Sequence, residues 1–148
     1  MSTMLHRFSL LGVLGLAGAV GILASCSSMG PGATVYSVNL SVANEVPPVN
    51  STAIGDGTVT INADRTVAAK VTVSGMTATA AHIHEGAAGT NGPVIIPFNK
   101  TADNVFEAPA GAKLTDAQYD AYTKGNLYIN VHSAKYPGGE VRAQLKPK

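Results

Sequence analysis

Four runs of the chain alternate apolar and polar residues with a period of two, and this rhythm constrains the fold more than any other property. Tyr36, Val38, Leu40 and Val42 alternate with Ser37, Asn39 and Ser41. Val67, Ala69, Val71 and Val73 alternate with Ala68, Lys70 and Thr72. Leu127, Ile129 and Val131 alternate with Tyr128, Asn130 and His132, and Val141, Ala143 and Leu145 with Glu140, Arg142 and Gln144. Successive side chains of a strand point to opposite faces, so each run reads as a half-buried strand. Thr58-Val59-Thr60-Ile61 adds a shorter one, and Asn62-Ala63-Asp64-Arg65 supplies turn chemistry for a hairpin onto the 67–73 run. Val94-Ile95-Ile96 is a short apolar run between Pro93 and Pro97, and Pro137-Gly138-Gly139 joins the last two strands. One segment breaks the rhythm. Thr115 and Gln118 form a capping box and Gly125 stands where a helix would stop, which predicts a helix over 116–124. Six to eight short strands, frequent turns and one short helix predict an all-β, antiparallel, Greek-key-like sandwich. With three Phe, five Tyr and no Trp, its core must be built mainly from Val, Ile, Leu and Ala.

The first 25 residues do not share this rhythm. A short start containing Arg7 leads into an apolar run over 8–24, too short for a comfortable membrane span and ending in small residues, as a signal peptide does. The run closes on Leu23-Ala24-Ser25-Cys26, which resembles the lipobox of bacterial lipoproteins. That resemblance implies that Cys26 is lipidated and becomes the first mature residue, anchoring the protein to a membrane through its acyl chains. Residues 26–33 then read as the lipidated cysteine and a small, breaker-rich tether, and 34–148 as the folded domain. Ser27, where Asp would signal retention, implies the outer membrane of a bacterial envelope, facing the periplasm.

Charge excludes several classes of partner. Only 13% of residues are charged and the formal net charge is +1, against about 25% charged in an average domain. Removing 1–25 takes away Arg7 and no acidic residue, leaving nine basic against nine acidic. There is no basic field for nucleic acid. The single cysteine rules out an internal disulfide and a cysteine-based zinc cluster.

Three histidines remain beyond the leader, at 82, 84 and 132. In Ala81-His82-Ile83-His84-Glu85-Gly86 the two imidazoles share one strand face while Ile83 takes the other. His132 lies on the face opposite Leu127, Ile129 and Val131. If the two strands are neighbours, three imidazoles meet on one polar face and can hold a metal ion. Neutral imidazoles suit copper, zinc or nickel, with copper tightest in the usual order, while zinc accepts three histidines with an open fourth position. Imidazole must be neutral to ligate, so affinity is expected to fall below about pH 6.5.

Ala81-His82-Ile83-His84-Glu85-Gly86, continuing through Gly89 to Gly92-Pro93-Val94, resembles the first signature of the CHRD (chordin) domain. Tyr128-Ile129-Asn130-Val131-His132-Ser133 with Pro137-Gly138-Gly139-Glu140-Val141-Arg142-Ala143-Gln144-Leu145 resembles its second, with Ala143 where Gly is frequent. Residues 40–48, with Asn44-Glu45-Val46-Pro47-Pro48, resemble the domain's opening. The likeness spans roughly 34–146 and implies an all-β module of bacterial secreted proteins. A second likeness is to copper-zinc superoxide dismutase, which also has a His-x-His strand, a later copper-binding His and an Arg that attracts the anion. It implies copper on His82, His84 and His132, with Arg142 as the guiding cation. The zinc-site ligands, bridging histidine and disulfide of that family have no counterpart here. Together with a location outside the cytoplasm, these likenesses favour copper over zinc.

Other residues carry lesser expectations. Glu85 can accept from an imidazole N–H or cap the turn before Gly86, the turn role being favoured. Tyr128 and Asn130 share the face of His132, where either can hydrogen-bond a ligand or be ordinary strand surface. Tyr136, at the hairpin tip, is within reach of a metal site or a partner. Glu140 and Arg142 share a face and suggest a simple charge pair. Asp103, Glu107, Asp116 and Asp120 form no paired-carboxylate site, and no nucleophile elbow, phosphate loop or dinucleotide fingerprint is present. Three functions follow: a lipoprotein that binds copper (zinc as the alternative), a copper-only dismutase-like enzyme, and a metal-free module for protein or glycan. The first is favoured over the enzyme. Uncovered sheet edges would also let two copies pair as a homodimer.

Overall fold

The structure is a computed structural model that describes residues 34–147. The leader over 1–25, Cys26 and the tether lie outside the described residues. Nine strands and one helix follow in order: β1 (Thr34–Ser41), β2 (Ile54–Ile61), β3 (Val67–Ser74), β4 (Ala78–Glu85), β5 (Val94–Pro97), β6 (Asn99–Ala102), β7 (Val105–Glu107), α1 (Asp116–Thr123), β8 (Leu127–Ser133) and β9 (Val141–Leu145). The alternating runs become strands, except that Val42 leaves β1 and opens a short 3-10 turn (Val42–Asn44), and the capping box forms with both of its reciprocal hydrogen bonds. The 62–65 turn is closed by Asp64, which accepts from the Thr66 backbone N–H at 3.0 Å, and Arg65 takes the left-handed conformation with φ 73°.

All strands join one antiparallel sheet in the order β5-β4-β8-β9-β1-β2-β3-β7-β6. β1, β2 and β3 are successive hairpin neighbours, and β9 returns to lie on the far side of β1, which is the Greek-key relation. β1 and β9 run antiparallel with Ser41 opposite Arg142. The sheet curls until its two ends almost meet. Phe98 alone separates edge strands β5 and β6, and its N–H donates to the Ala81 carbonyl at 2.9 Å. Asn104 ties the same corner, accepting from Ala78 N–H and donating to the Met76 carbonyl, both at 2.9 Å. The result is a flattened, nearly closed roll that packs like a sandwich. Among the described residues no helix is long and apolar enough to cross a membrane.

Val59, Val71, Ile83, Leu127, Ile129, Val131, Val141 and Leu145 fill the interior, with Phe106 from the short β7. Tyr36 of β1 stacks on Tyr122 of α1 at 6.5 Å, closing one end of the core.

The expected polar face of β8 is not a wet surface. All seven β8 residues are buried. Leu127, Ile129 and Val131 face the core, and Tyr128, Asn130 and His132 lie beneath segments folded over the opposite face. Alternation distinguishes two faces of a strand but does not say that the polar one meets water. Here the cover comes from the loop carrying Glu45, from the 86–92 loop and from the β8–β9 turn.

Candidate metal centre

β4 and β8 are neighbours, so the condition on which the histidine cluster depended is met. Across the sheet, His82 stands opposite Asn130 and Asn130 opposite Arg142, while the adjacent row is His84, Tyr128 and Gln144. His132 lies opposite Ala80, a residue too small to fill the space beside it. The ring centroids are 5.5 Å apart for His82 and His84, 4.8 Å for His82 and His132, and 5.8 Å for His84 and His132. One nitrogen from each ring can be chosen so that all three lie within 4.8 Å of one another. Metal–nitrogen bonds of about 2.0–2.1 Å set ligand nitrogens about 3.3–4.2 Å apart, so the widest pair would have to close by roughly an ångström.

The outer hydrogen bonds fix which nitrogens are free. His132 Nδ1 lies 3.0 Å from the Pro137 carbonyl and His84 Nδ1 lies 2.9 Å from the Gly92 carbonyl. A carbonyl only accepts, so both Nδ1 atoms carry hydrogen and both Nε2 atoms keep a lone pair. His132 Nε2 faces His82 Nδ1 at 2.9 Å. His84 Nε2 is buried and has no hydrogen-bond partner. An orphaned buried lone pair of this kind costs free energy unless a donor or a cation meets it.

His84 and His132 are buried and His82 is half-buried, so the cluster opens toward solvent on the His82 side. Burial pushes the His82 imidazole down to about 4, helped by the neighbouring rings of His132 and His84. Burial also lowers His84 and His132, against the opposing pull of their carbonyl hydrogen bonds. All three rings are therefore neutral and ligand-ready at neutral pH.

The remaining candidates separate. Arg142 is only 1% exposed, and its guanidinium is turned onto the 86–92 loop and the Tyr128 ring. That is a poor position for capturing an incoming anion. The suggested Glu140–Arg142 pair does not form. The buried Glu140 carboxylate instead accepts from Ser51 Oγ at 2.5 Å and from Ser133 Oγ. Tyr128 and Asn130, suggested as either ligand partners or surface, are each about 1% exposed. Asn130 donates to Glu45 at 3.3 Å. The Glu85 backbone N–H donates to the Pro93 carbonyl, closing the turn, and its side chain makes no hydrogen bond to a described histidine. Tyr136 donates to the Asn50 carbonyl at 2.7 Å, away from the rings.

Glu45 is the group that the sequence did not flag. It is 4% exposed, and burial pushes its carboxyl up to about 7 despite the hydrogen bond from Asn130 and the nearby Arg142 charge. Its signal lay only in the Asn44-Glu45-Val46-Pro47 string, which carries no periodicity.

No curated protein and no solved structure matches the chain. A family model does, that of the CHRD domain, over residues 36–145.

Proposed function

The chain belongs to the CHRD domain family, and from that premise we propose that it is an envelope-anchored domain that binds a copper ion through His82, His84 and His132. The observation that carries the reading is the pair of committed tautomers. Two buried imidazoles turn their N–H groups outward onto carbonyls and leave the Nε2 of His84 without a partner. Three neutral nitrogens with no thiolate among them suit divalent copper, with zinc the principal competitor. The half-buried His82 gives the ion a way in. Binding is favoured over superoxide chemistry, because the cation that would guide the anion is sequestered beneath a loop. The lipobox-like end of the leader supports attachment through acylated Cys26 at the outer membrane.

Metal analysis and copper titration of protein purified without chelator or affinity tag test the reading. One ion per chain is expected, with an electron paramagnetic resonance spectrum showing nitrogen hyperfine coupling. His82→Ala is expected to abolish tight uptake. No stoichiometric copper or zinc, with no tight uptake on titration, would leave a metal-free interaction module. A dismutation rate above that of free copper would move the reading to the enzyme. For the anchor, Cys26→Ser is expected to release the protein from the membrane fraction.

A further inference from the structure

We propose that Arg142 is a positioning residue of this centre, holding His84 in the tautomer that leaves its Nε2 open to a cation. The inference rests on the metal-binding reading and adds what keeps the site in shape. In a neutral imidazole, the partner of one nitrogen decides the state of the other. For His84 that partner is the Gly92 carbonyl, so whatever places Gly92 sets the ligand state of the ring.

Gly92 ends the 86–92 loop, most of which is exposed. Side chains from β8 and β9 hold this loop from beneath. Arg142 Nη2 donates to the Thr90 carbonyl at 2.8 Å and to the Ala87 carbonyl at 3.3 Å, and Nη1 donates to Asn91 Oδ1 at 3.2 Å. Gln144, itself in contact with Arg142, donates to the Gly86 carbonyl at 2.9 Å. Gly92 N–H donates to the Tyr128 hydroxyl at 3.0 Å.

A second route runs through the rings. The guanidinium lies 3.4 Å from the centroid of Tyr128, and Tyr128 stacks on His84 at 4.8 Å and 10°. Cation, phenol and imidazole thus form one connected stack. Burying a guanidinium this completely is costly unless its donors are matched. Its planar fork meets the loop oxygens and its flat face meets the ring, neither of which a lysine ammonium reproduces. Arg142 acts on His84 through Gly92 and Tyr128, with no contact to the free nitrogen.

The test uses the purified full chain, first metal-free and then titrated with copper(II) alone. Two-bond proton–nitrogen correlation spectra should show His84 of the unsubstituted chain as a single Nδ1–H tautomer. In Arg142→Gln a mixture with the Nε2–H form is expected, with copper affinity lowered at least about tenfold, as for other changes to the partners of metal ligands. Arg142→Lys, which keeps the charge and loses the fork, is expected to restore neither. Asn91→Ala, at an exposed position, removes the contact to Arg142 together with the bond that Asn91 Nδ2 donates to the Val46 carbonyl at 2.8 Å, and is expected to shift both readouts the same way by less. It decides the matter if the Arg142 variants do not fold. A single unchanged tautomer with affinity within about twofold in a folded Arg142→Gln, or in Asn91→Ala where that variant does not fold, would overturn the proposal. So would restoration of both readouts by lysine. Failure of the unsubstituted chain to bind copper would sink the metal reading, while the metal-free spectra would still decide the role of Arg142.

Discussion

A half-buried imidazole and a buried carboxyl pull stability in opposite directions over the same pH range. Burial disfavours the charged form, so it lowers an imidazole and raises a carboxyl. His82 titrates near 4 in the fold and near 6.5 when unfolded. Between those values the unfolded chain binds more protons, so stability present above pH 6.5 is lost as pH falls toward 4. Glu45 titrates near 7 in the fold against 4.5 when unfolded. Its contribution is complete below 4.5 and is lost as pH rises through 7. From 6.5 down to 4.5 the two partly cancel. Glu45→Gln removes one of them, so acidification over that window is expected to destabilise this variant more steeply than the unsubstituted chain. Urea unfolding at pH 7, 5.5 and 4.5 measures the slopes, and identical slopes would put Glu45 at an ordinary value. The same lowering of the histidines moves proton competition for the metal below the pH 6.5 onset expected from free imidazole. Copper affinity at pH 6 is expected to lie within about threefold of that at pH 7.5, and to fall in the acid range.

At the scale of elements, the loop and the helix give contrasting predictions. A Cβ on Gly92 would collide with the Glu85 carbonyl. Gly92→Ala therefore has to displace the loop end that accepts from His84. It is expected to cost ~1–3 kcal/mol, as overpacking does, and to weaken copper binding as well. Thr115→Ala removes the cap from α1 and should cost ~1 kcal/mol. It should leave copper affinity unchanged, because the capping box touches none of the three rings. Denaturation and titration of the two variants separate the effects. The same elements show what could be read from the residues. The alternating runs announced β1, β3, β8 and β9, and Thr115 and Gln118 announced α1. β2 begins four residues before the Thr58 expected from sequence, because Gly55 and Gly57 have no side chains with which to alternate. β6 and β7, of four and three residues, are too short to show a period. The metal-ligand trio was legible from strand phase once adjacency was assumed. The cover over it was not, because burial of Asn130 depends on Glu45, 85 residues away, and Arg142 is engaged by residues more than 50 positions earlier.

For the whole molecule, an ion held by His82, His84 and His132 would bind β4 to β8 across a sequence gap of about 50 residues. An ion that binds only the folded chain stabilises it by mass action, about 2.7 kcal/mol at a free concentration of 100 Kd. Addition of copper is therefore expected to raise the melting temperature of the unsubstituted chain, and a chelator to reverse the rise. His132→Ala should melt at the same temperature with and without the ion. An equal rise in both would mean that copper binds elsewhere.

The antiparallel pairing of β1 with β9 fixes an outlook for the domain. With Ser41 beside Arg142, the polypeptide enters at Thr34 and leaves beyond Leu145 at the same pole. The row through Ser41, Arg142, Asn130 and His82 lies some seven strand residues away, roughly 23 Å at about 3.3 Å per residue. Anything that grips the segment ahead of Thr34 therefore holds the molecule at that pole, with the His82 row set back from it by this distance.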